Sequence, residues 1–290
     1  MRALIFGGQG QLGRELLAVA QQSDKYRGIV PQSIEVFAPT RSQCDITNID
    51  QVRTVFYSVR PDVVINCAAL TDVDLCEQNV PSAYLANGYS VRNLQQAARE
   101  IGAHFCHVST DYVFDGNADE PYREWDKTNP INHYGASKLF GETQLDPDST
   151  TIRTAWLNSA TGKNVVRTVL DLVGKTQGPL RFVNDQIGSP SFAHDIAPRV
   201  WYLAMSRCRG LYHVTNQGSA SWFEFVSEIL VCLGRDRLGV EPIATHELIP
   251  QRSAIRPKYS VLSNFATSSL GLDDLPDWRL GLAHLIGQLA

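Results

Sequence analysis

Tyr134 and Lys138 are four residues apart in Tyr134-Gly135-Ala136-Ser137-Lys138, a stretch that reads as the start of a helix running to about Leu145. At 1.5 Å rise per residue this spacing puts a phenol and an ammonium on one face, about 6 Å apart along the axis. A tyrosine with a pKa of ~10 handles protons poorly near neutrality until a nearby cation stabilises its phenolate, and Lys138 supplies that cation. Upstream, Ser109-Thr110-Asp111-Tyr112 ends an apolar strand-like run and precedes a long polar loop. Ligands of open parallel sheets bind outside the carboxyl ends of the strands, so the Thr110 hydroxyl can reach a carbonyl oxygen that Tyr134 protonates. Taken singly each feature has a bland alternative: Tyr-x-x-x-Lys recurs by chance on surface helices, and Asp111 can simply make a turn.

Reduction of a carbonyl needs a hydride donor, and a second motif fits one. Gly7-Gly8-Gln9-Gly10-Gln11-Leu12-Gly13 follows the apolar run Ala3 to Phe6 and opens a helix. The glycines allow a tight turn and close approach of backbone to a pyrophosphate, whose charge then faces the amides of the helix N-terminus. The triplet satisfies both Gly-x-Gly-x-x-Gly and Gly-x-x-Gly-x-x-Gly, so the spacing does not select a subfamily. The second strand ends Val36-Phe37-Ala38-Pro39-Thr40-Arg41, without the acid that accepts from an adenosine ribose in NAD sites. A hydroxyl followed by a guanidinium suits a 2′-phosphate, which favours NADPH, with NADH as the other candidate if Arg41 is only a solvated charge or stacks on adenine.

The elements that must position these groups alternate. Strand-like runs at Ala3 to Phe6, Ile34 to Ala38, Val63 to Ile65, His104 to Ser109 and Thr151 to Trp156 are separated by helical patterns from about Leu12, after Asn48, from Ala83 to Ile101 and from Tyr134. This predicts an α/β fold, a Rossmann-type doubly wound parallel sheet with crossover helices. Residues 1–155 would form the dinucleotide-binding domain, its sheet completed by part of the C-terminal half. Residues 156–290 would form mainly a smaller, interleaved substrate-binding lobe, with helices near Val165 to Val173, Ile196 to Met205 and Trp222 to Leu233 and short strands near Leu180 to Val183 and Leu211 to Thr215.

Composition narrows the classes further. The chain has 290 residues, 43% of them hydrophobic, enough for one sizeable core and an appendage. There is no run of ~18 apolar residues and no signal-peptide pattern, so a cytoplasmic protein without a membrane segment is expected. Residues 1–150 carry a net charge of −7 and residues 151–290 a net +3, which disfavours nucleic acid as a partner and leaves room for a small anionic substrate in the second half. The six cysteines are scattered without a Cys-x-x-Cys pair and read as reduced. In His104-Phe105-Cys106-His107 strand alternation turns His107 to the opposite face from His104 and Cys106, so no metal is expected there. A homodimer is the default assembly.

The chain resembles the extended short-chain dehydrogenase/reductases, and within them the dTDP-4-dehydrorhamnose reductases, almost end to end. The resemblance rests on Gly7 to Gly13, Cys44-Asp45-Ile46-Thr47, Pro61 to Ala69, Thr71-x-Val73-Asp74-x-x-Glu77, Ser109 to Phe114, Pro130-Ile131-Asn132-x-Tyr134-Gly135, Arg153 to Trp156, Asn184 to Pro190 and Arg256 to Ser260. It implies reduction of the C4 ketone of a dTDP-4-dehydro-6-deoxy-L-hexose, with Tyr134 as proton donor, Lys138 holding the nicotinamide ribose, and Thr110 bonding the oxygen. It also implies cofactor contacts from Gly7, Gly10, Gln11, Leu12, Gly13, Arg41, Asp45, Ile46, Ala68, Ala69 and Leu70, and substrate contacts from Thr110, Asp111, Tyr112, Trp156 and Arg256. Some relatives hold a metal with three glutamates; Glu15 matches the first, but His194 replaces the second, so none is expected here. Asp72, Leu75 and Cys76 also depart from the family's pattern, which bears on the sugar taken. Other nucleotide-sugar reductases or epimerases, and a non-catalytic regulatory subunit resembling that of methionine adenosyltransferase, share the fold; Asp111 followed by Tyr112 rather than glutamate disfavours a dehydratase.

Overall fold

The computed structural model describes residues 1–289. Six parallel strands form the central sheet: β1 (Arg2–Phe6), β2 (Glu35–Phe37), β3 (Val63–Asn66), β4 (His104–Thr110), β5 (Thr150–Thr154) and β6 (Gly210–His213), in the order β6-β5-β4-β3-β1-β2. The expected alternation holds, and the sheet's last strand does come from the C-terminal half.

Strand alternation sorts the core into two layers. Ala3, Ile5, Val63, Ile65 and Cys106 face α1 (Gln11–Gln21) and a late helix, α5 (Ala193–Met205), whose buried Trp201 donates its indole N–H to Leu16 O at 2.9 Å. Leu4, Phe6, Val64 and Phe105 face α2 (Ile49–Val59) and α3 (Ser90–Ile101). A second core gathers Val166, Val169, Phe192, Phe225, Ile229, Trp278 and Leu285 from the C-terminal half. There Leu180–Val183 pairs in parallel with Val240–Ile243, a strand the sequence reading missed because Glu241 and Pro242 interrupt its apolar pattern.

Two expected elements change shape. The long helix expected from Ala83 to Ile101 begins at Val80 and passes through a π-helical turn, Leu85–Tyr89, before continuing as α3. Within that turn Gly88 leaves space that the Phe140 ring fills, since a Cβ there would sit 2.4 Å from it. The strand expected to reach Trp156 stops at Thr154, and Trp156 takes a left-handed φ of 41°.

The helix α4 (His133–Glu142) carries Tyr134 and Lys138. Glu142 at its end anchors it to the sheet: its carboxylate accepts from Arg153 Nε at 2.9 Å, Arg153 Nη2 at 2.7 Å and Ser109 Oγ at 2.5 Å. Both charged side chains are almost completely buried. Removing one partner of such a pair strands the other charge, at about 3–5 kcal/mol. Glu142→Ala should therefore lower the unfolding free energy by about that amount in urea titrations, far more than an exposed glutamate such as Glu35→Ala.

Candidate active site

A cleft that is the candidate cofactor site opens at the carboxyl ends of β1 and β3, with a volume of about 480 Å³. Of the residues singled out in the sequence, Gly7, Arg41, Asp45, Ile46, Ala68, Ala69 and Leu70 line it, together with Gly8, Gln9, Pro39, Thr40, Leu75, Ser82 and Ala86. Gly7 has a φ of 78°, and a Cβ there would lie 2.6 Å from Ala68 N, so the first turn touches the loop after β3 with no room for a side chain. Gly13 is forced by packing, because its Cβ would lie 2.2 Å from Gly7 O. Gly10 caps α1 without any side-chain hydrogen bond, leaving the first-turn amides available to an anion.

Two of the proposed cofactor contacts have other partners. Leu12 is buried in the main core. The Gln11 amide reaches across to the C-terminal half, accepting from Asn164 Nδ2 at 2.9 Å and Ser159 Oγ at 3.2 Å. Asp45 is held below the usual carboxylate range chiefly by hydrogen bonds from Thr47, with a smaller pull from Arg41. Thr40 and Ser42 hydroxyls lie 2.9 Å apart beside exposed Arg41, and no acid stands at this strand end, so the donor set fits a phosphate better than a ribose hydroxyl.

Thr110, Asp111, Tyr112, Tyr134 and Lys138 converge where β4 meets α4. Asn132 caps α4, its Oδ1 accepting from Gly135 N at 2.8 Å, and Glu77 accepts from His133 N at 3.0 Å. Tyr112 and Tyr134 meet edge to face with ring centroids 5.7 Å apart. Burial pushes the Tyr134 phenol above its ordinary pKa, and the neighbouring Thr110 hydroxyl pulls it back. Lys138 Nζ donates to Val108 O at 2.6 Å and lies 3.3 Å from His107 Nε2, so its head is turned onto β4, and burial lowers its pKa to about 8.

Trp156 stacks flat on Trp222, centroids 3.5 Å apart, over Gly188, where a Cβ would lie 2.4 Å from the indole. Arg256 is paired with Asp74 through both guanidinium nitrogens, at 2.7 and 2.6 Å, so a diphosphate would have to share it with that carboxylate. Three residues passed over in the sequence belong to this framework. Asn87, in the π-turn, accepts from Leu70 N at 2.8 Å and donates to Leu70 O and to Ser137 Oγ, both at 3.0 Å, tying the cofactor-lining segment to α4. Asn66 and His107 are fully buried polar groups in central strands, a pattern that already signals a hydrogen-bond network.

A parallel sheet wound on both sides, with a glycine-turned cleft and a Thr-Tyr-Lys set beside it, defines a Rossmann-type protein of the reductase and epimerase class. The chain belongs to the family described as RmlD substrate binding domain, whose model matches residues 1–290. It is similar to the spore coat polysaccharide biosynthesis protein SpsK of Bacillus subtilis, 39% identical over 98% of this chain and 96% of that protein. A dTDP-4-dehydrorhamnose reductase of Burkholderia thailandensis is 36% identical over 100% and 99% of the two chains. The crystal structure of the Bacillus anthracis dTDP-4-dehydrorhamnose reductase in complex with NADP superimposes with a TM-score of 0.90, at 35% identity and 99% coverage of both chains.

Asp111 provides a check on the site's burial. It is 2% exposed, accepts from Ser260 Oγ at 2.6 Å and from Thr110 Oγ1 at 3.0 Å, and burial pushes its pKa up to about 6. A carboxyl that binds its proton more tightly in the fold than in the unfolded chain loses stability as pH rises from its unfolded value of ~4 toward its folded one. The unfolding free energy of the wild type, measured relative to Asp111→Asn, should therefore fall between pH 4 and 6, by at most about 3 kcal/mol. A pH-independent difference would mean that Asp111 titrates normally.

Proposed function

We propose that this chain reduces the C4 ketone of dTDP-4-dehydrorhamnose to give dTDP-L-rhamnose, with Tyr134 as proton donor. The observation that carries this reading is the convergence of Thr110, Tyr134 and Lys138 at the end of β4, next to a dinucleotide cleft, in a member of this family. Gly7, Gly10, Thr40, Arg41 and Ala68 would hold NADPH, which supplies the hydride when bound. Thr110 would hydrogen-bond the ketone oxygen and polarise it, and Tyr134 would protonate that oxygen as negative charge develops there. Lys138, as an ammonium, would engage the ribose and favour the phenolate left behind. Trp156, clamped by Trp222 and Gly188, would form an apolar wall beside the sugar, with Tyr112 opposite.

The N-terminal half would act mainly as the dinucleotide-binding domain and the C-terminal half as the substrate lobe. A cytoplasmic location accords with six cysteines that are all free thiols, and a symmetric homodimer is the assembly we assign.

The direct test supplies dTDP-4-dehydro-6-deoxy-L-hexose, generated in place from dTDP-glucose by a dehydratase and an epimerase, and follows NADPH oxidation. Oxidation that depends on the epimerase supports the reading; none, with NADPH still bound, overturns it. Tyr134→Phe should lower kcat by ~10²–10⁴ while leaving NADPH affinity near its original value, since only the proton donor is lost. Arg41→Ala should weaken NADPH binding by ~10–100-fold and NADH far less, the loss expected for one charge-assisted phosphate contact. Equal losses for both cofactors would remove the assigned preference.

A further inference from the structure

Behind Lys138 lies a buried chain of hydrogen bonds whose directions are fixed at one end. Ala68 N, a backbone amide that can only donate, lies 3.0 Å from Asn66 Oδ1. This settles the orientation of the Asn66 amide, so the atom 3.1 Å from His107 Nδ1 is its NH2 group. His107 Nδ1 must therefore accept, and the neutral ring carries its proton on Nε2, the nitrogen 3.3 Å from Lys138 Nζ. An N–H at that point can be received by a neutral amine with a free lone pair but not by an ammonium, which has only donors.

We propose that His107, locked by Asn66 with its proton on Nε2, is a positioning residue that holds Lys138 on β4 as the neutral amine and so lowers the pH at which the cofactor site loses its cation. The proposal rests on the reading of Lys138 as a cofactor-binding residue. Burial itself disfavours the ammonium and His107 adds to it; Glu142 on the same helix, already paired with Arg153, favours the ammonium, and the Cys67 thiol after β3, pushed up to about 12 by burial, stays uncharged over this range. Burial and the neighbouring Lys138 hold His107 neutral, so it cannot relieve the conflict by becoming a cation with both nitrogens protonated. As the site fills, protonation of Lys138 breaks the His107 contact, and the head keeps its bond to Val108 O while turning its other hydrogens to the ribose.

Two measurements test this on the intact protein. Two-bond ¹H–¹⁵N spectra of the wild type should show His107 with Nδ1 bare and Nε2 protonated from pH 6 to 9; the opposite tautomer overturns the proposal. NADPH titrations by fluorescence over the same range, extended to pH 10, should show affinity falling above about pH 8 as Lys138 deprotonates. Asn66→Asp reverses the lock, because its carboxylate can only accept and so favours the tautomer with the proton on Nδ1, which leaves Nε2 as an acceptor. His107→Phe removes the lock without adding charge. Both should move the fall in affinity upward by about one pH unit, and an unmoved fall in both overturns the role of His107. Lys138→Met should abolish the fall. If it persists in that variant, the reading of Lys138 itself is at fault, whereas its loss there combined with no movement in the other two variants faults His107 alone.

Discussion

The site depends on how closely α4 approaches the polypeptide around it. At Gly135 a Cβ would lie 2.0 Å from Tyr112 O, and at Gly141 another would lie 2.3 Å from Asn87 O. Two bare positions in a ten-residue helix let its backbone press against the turn after β4 and against the π-turn. That approach buries Tyr134 against Tyr112 and brings the Lys138 head onto the strand itself. A methyl at position 135 would collide with Tyr112 O and force α4 away from the turn that follows β4.

Thr110, Asp111 and Lys138 are almost wholly excluded from water at this junction, and the surrounding chemistry follows from that exclusion. In a low-dielectric interior an unpaired charge is costly, so each ionisable group near α4 is neutralised by a partner or shifted toward its neutral form. Glu142 and Arg153 pair, while Asp111, Tyr134 and Lys138 shift toward neutrality. The same exclusion strengthens the hydrogen bond that Thr110 offers to any oxygen gaining charge, because no solvent dipoles compete for it. Candidate catalytic groups with unusual proton affinities and a well-packed helix–sheet junction are consequences of one packing arrangement.

This division explains what could be read in the sequence. The sheet, its crossover helices and the glycine turn were legible because they depend on local periodicity and on glycines adjacent in the chain. The Thr-Tyr-Lys set was legible from spacing within one helix and position at one strand end. What escaped notice depends on contacts between distant segments: Asn87 with Leu70 and Ser137, Asn66 with His107, and Gln11 with Asn164. Trp222 likewise reads as one more core aromatic of a helix until its stacking on Trp156 is seen. The π-turn is invisible to a 3.6-residue pattern because it inserts a residue without changing which types are apolar.

Asp72, Leu75 and Cys76, read from the sequence as departures from the family's pattern, have structural roles. Asp72 caps the short helix Val73–Gln78, its Oδ1 accepting from Leu75 N at 3.0 Å. Cys76 is fully buried with its thiol 3.6 Å from Leu70 O, and Leu75 lines the cofactor cleft. All three therefore shape the segment that carries Leu70, on the cofactor side, whereas the surfaces assigned to the sugar come from Tyr112 and Trp156. Asp74 in the same helix is the link between the two sides, because its pair with Arg256 joins the cofactor-side helix to the loop of the C-terminal half. Changes at 72 and 76 would therefore be felt at the candidate cofactor cleft through the segment that carries Leu70, and a change at 75 directly.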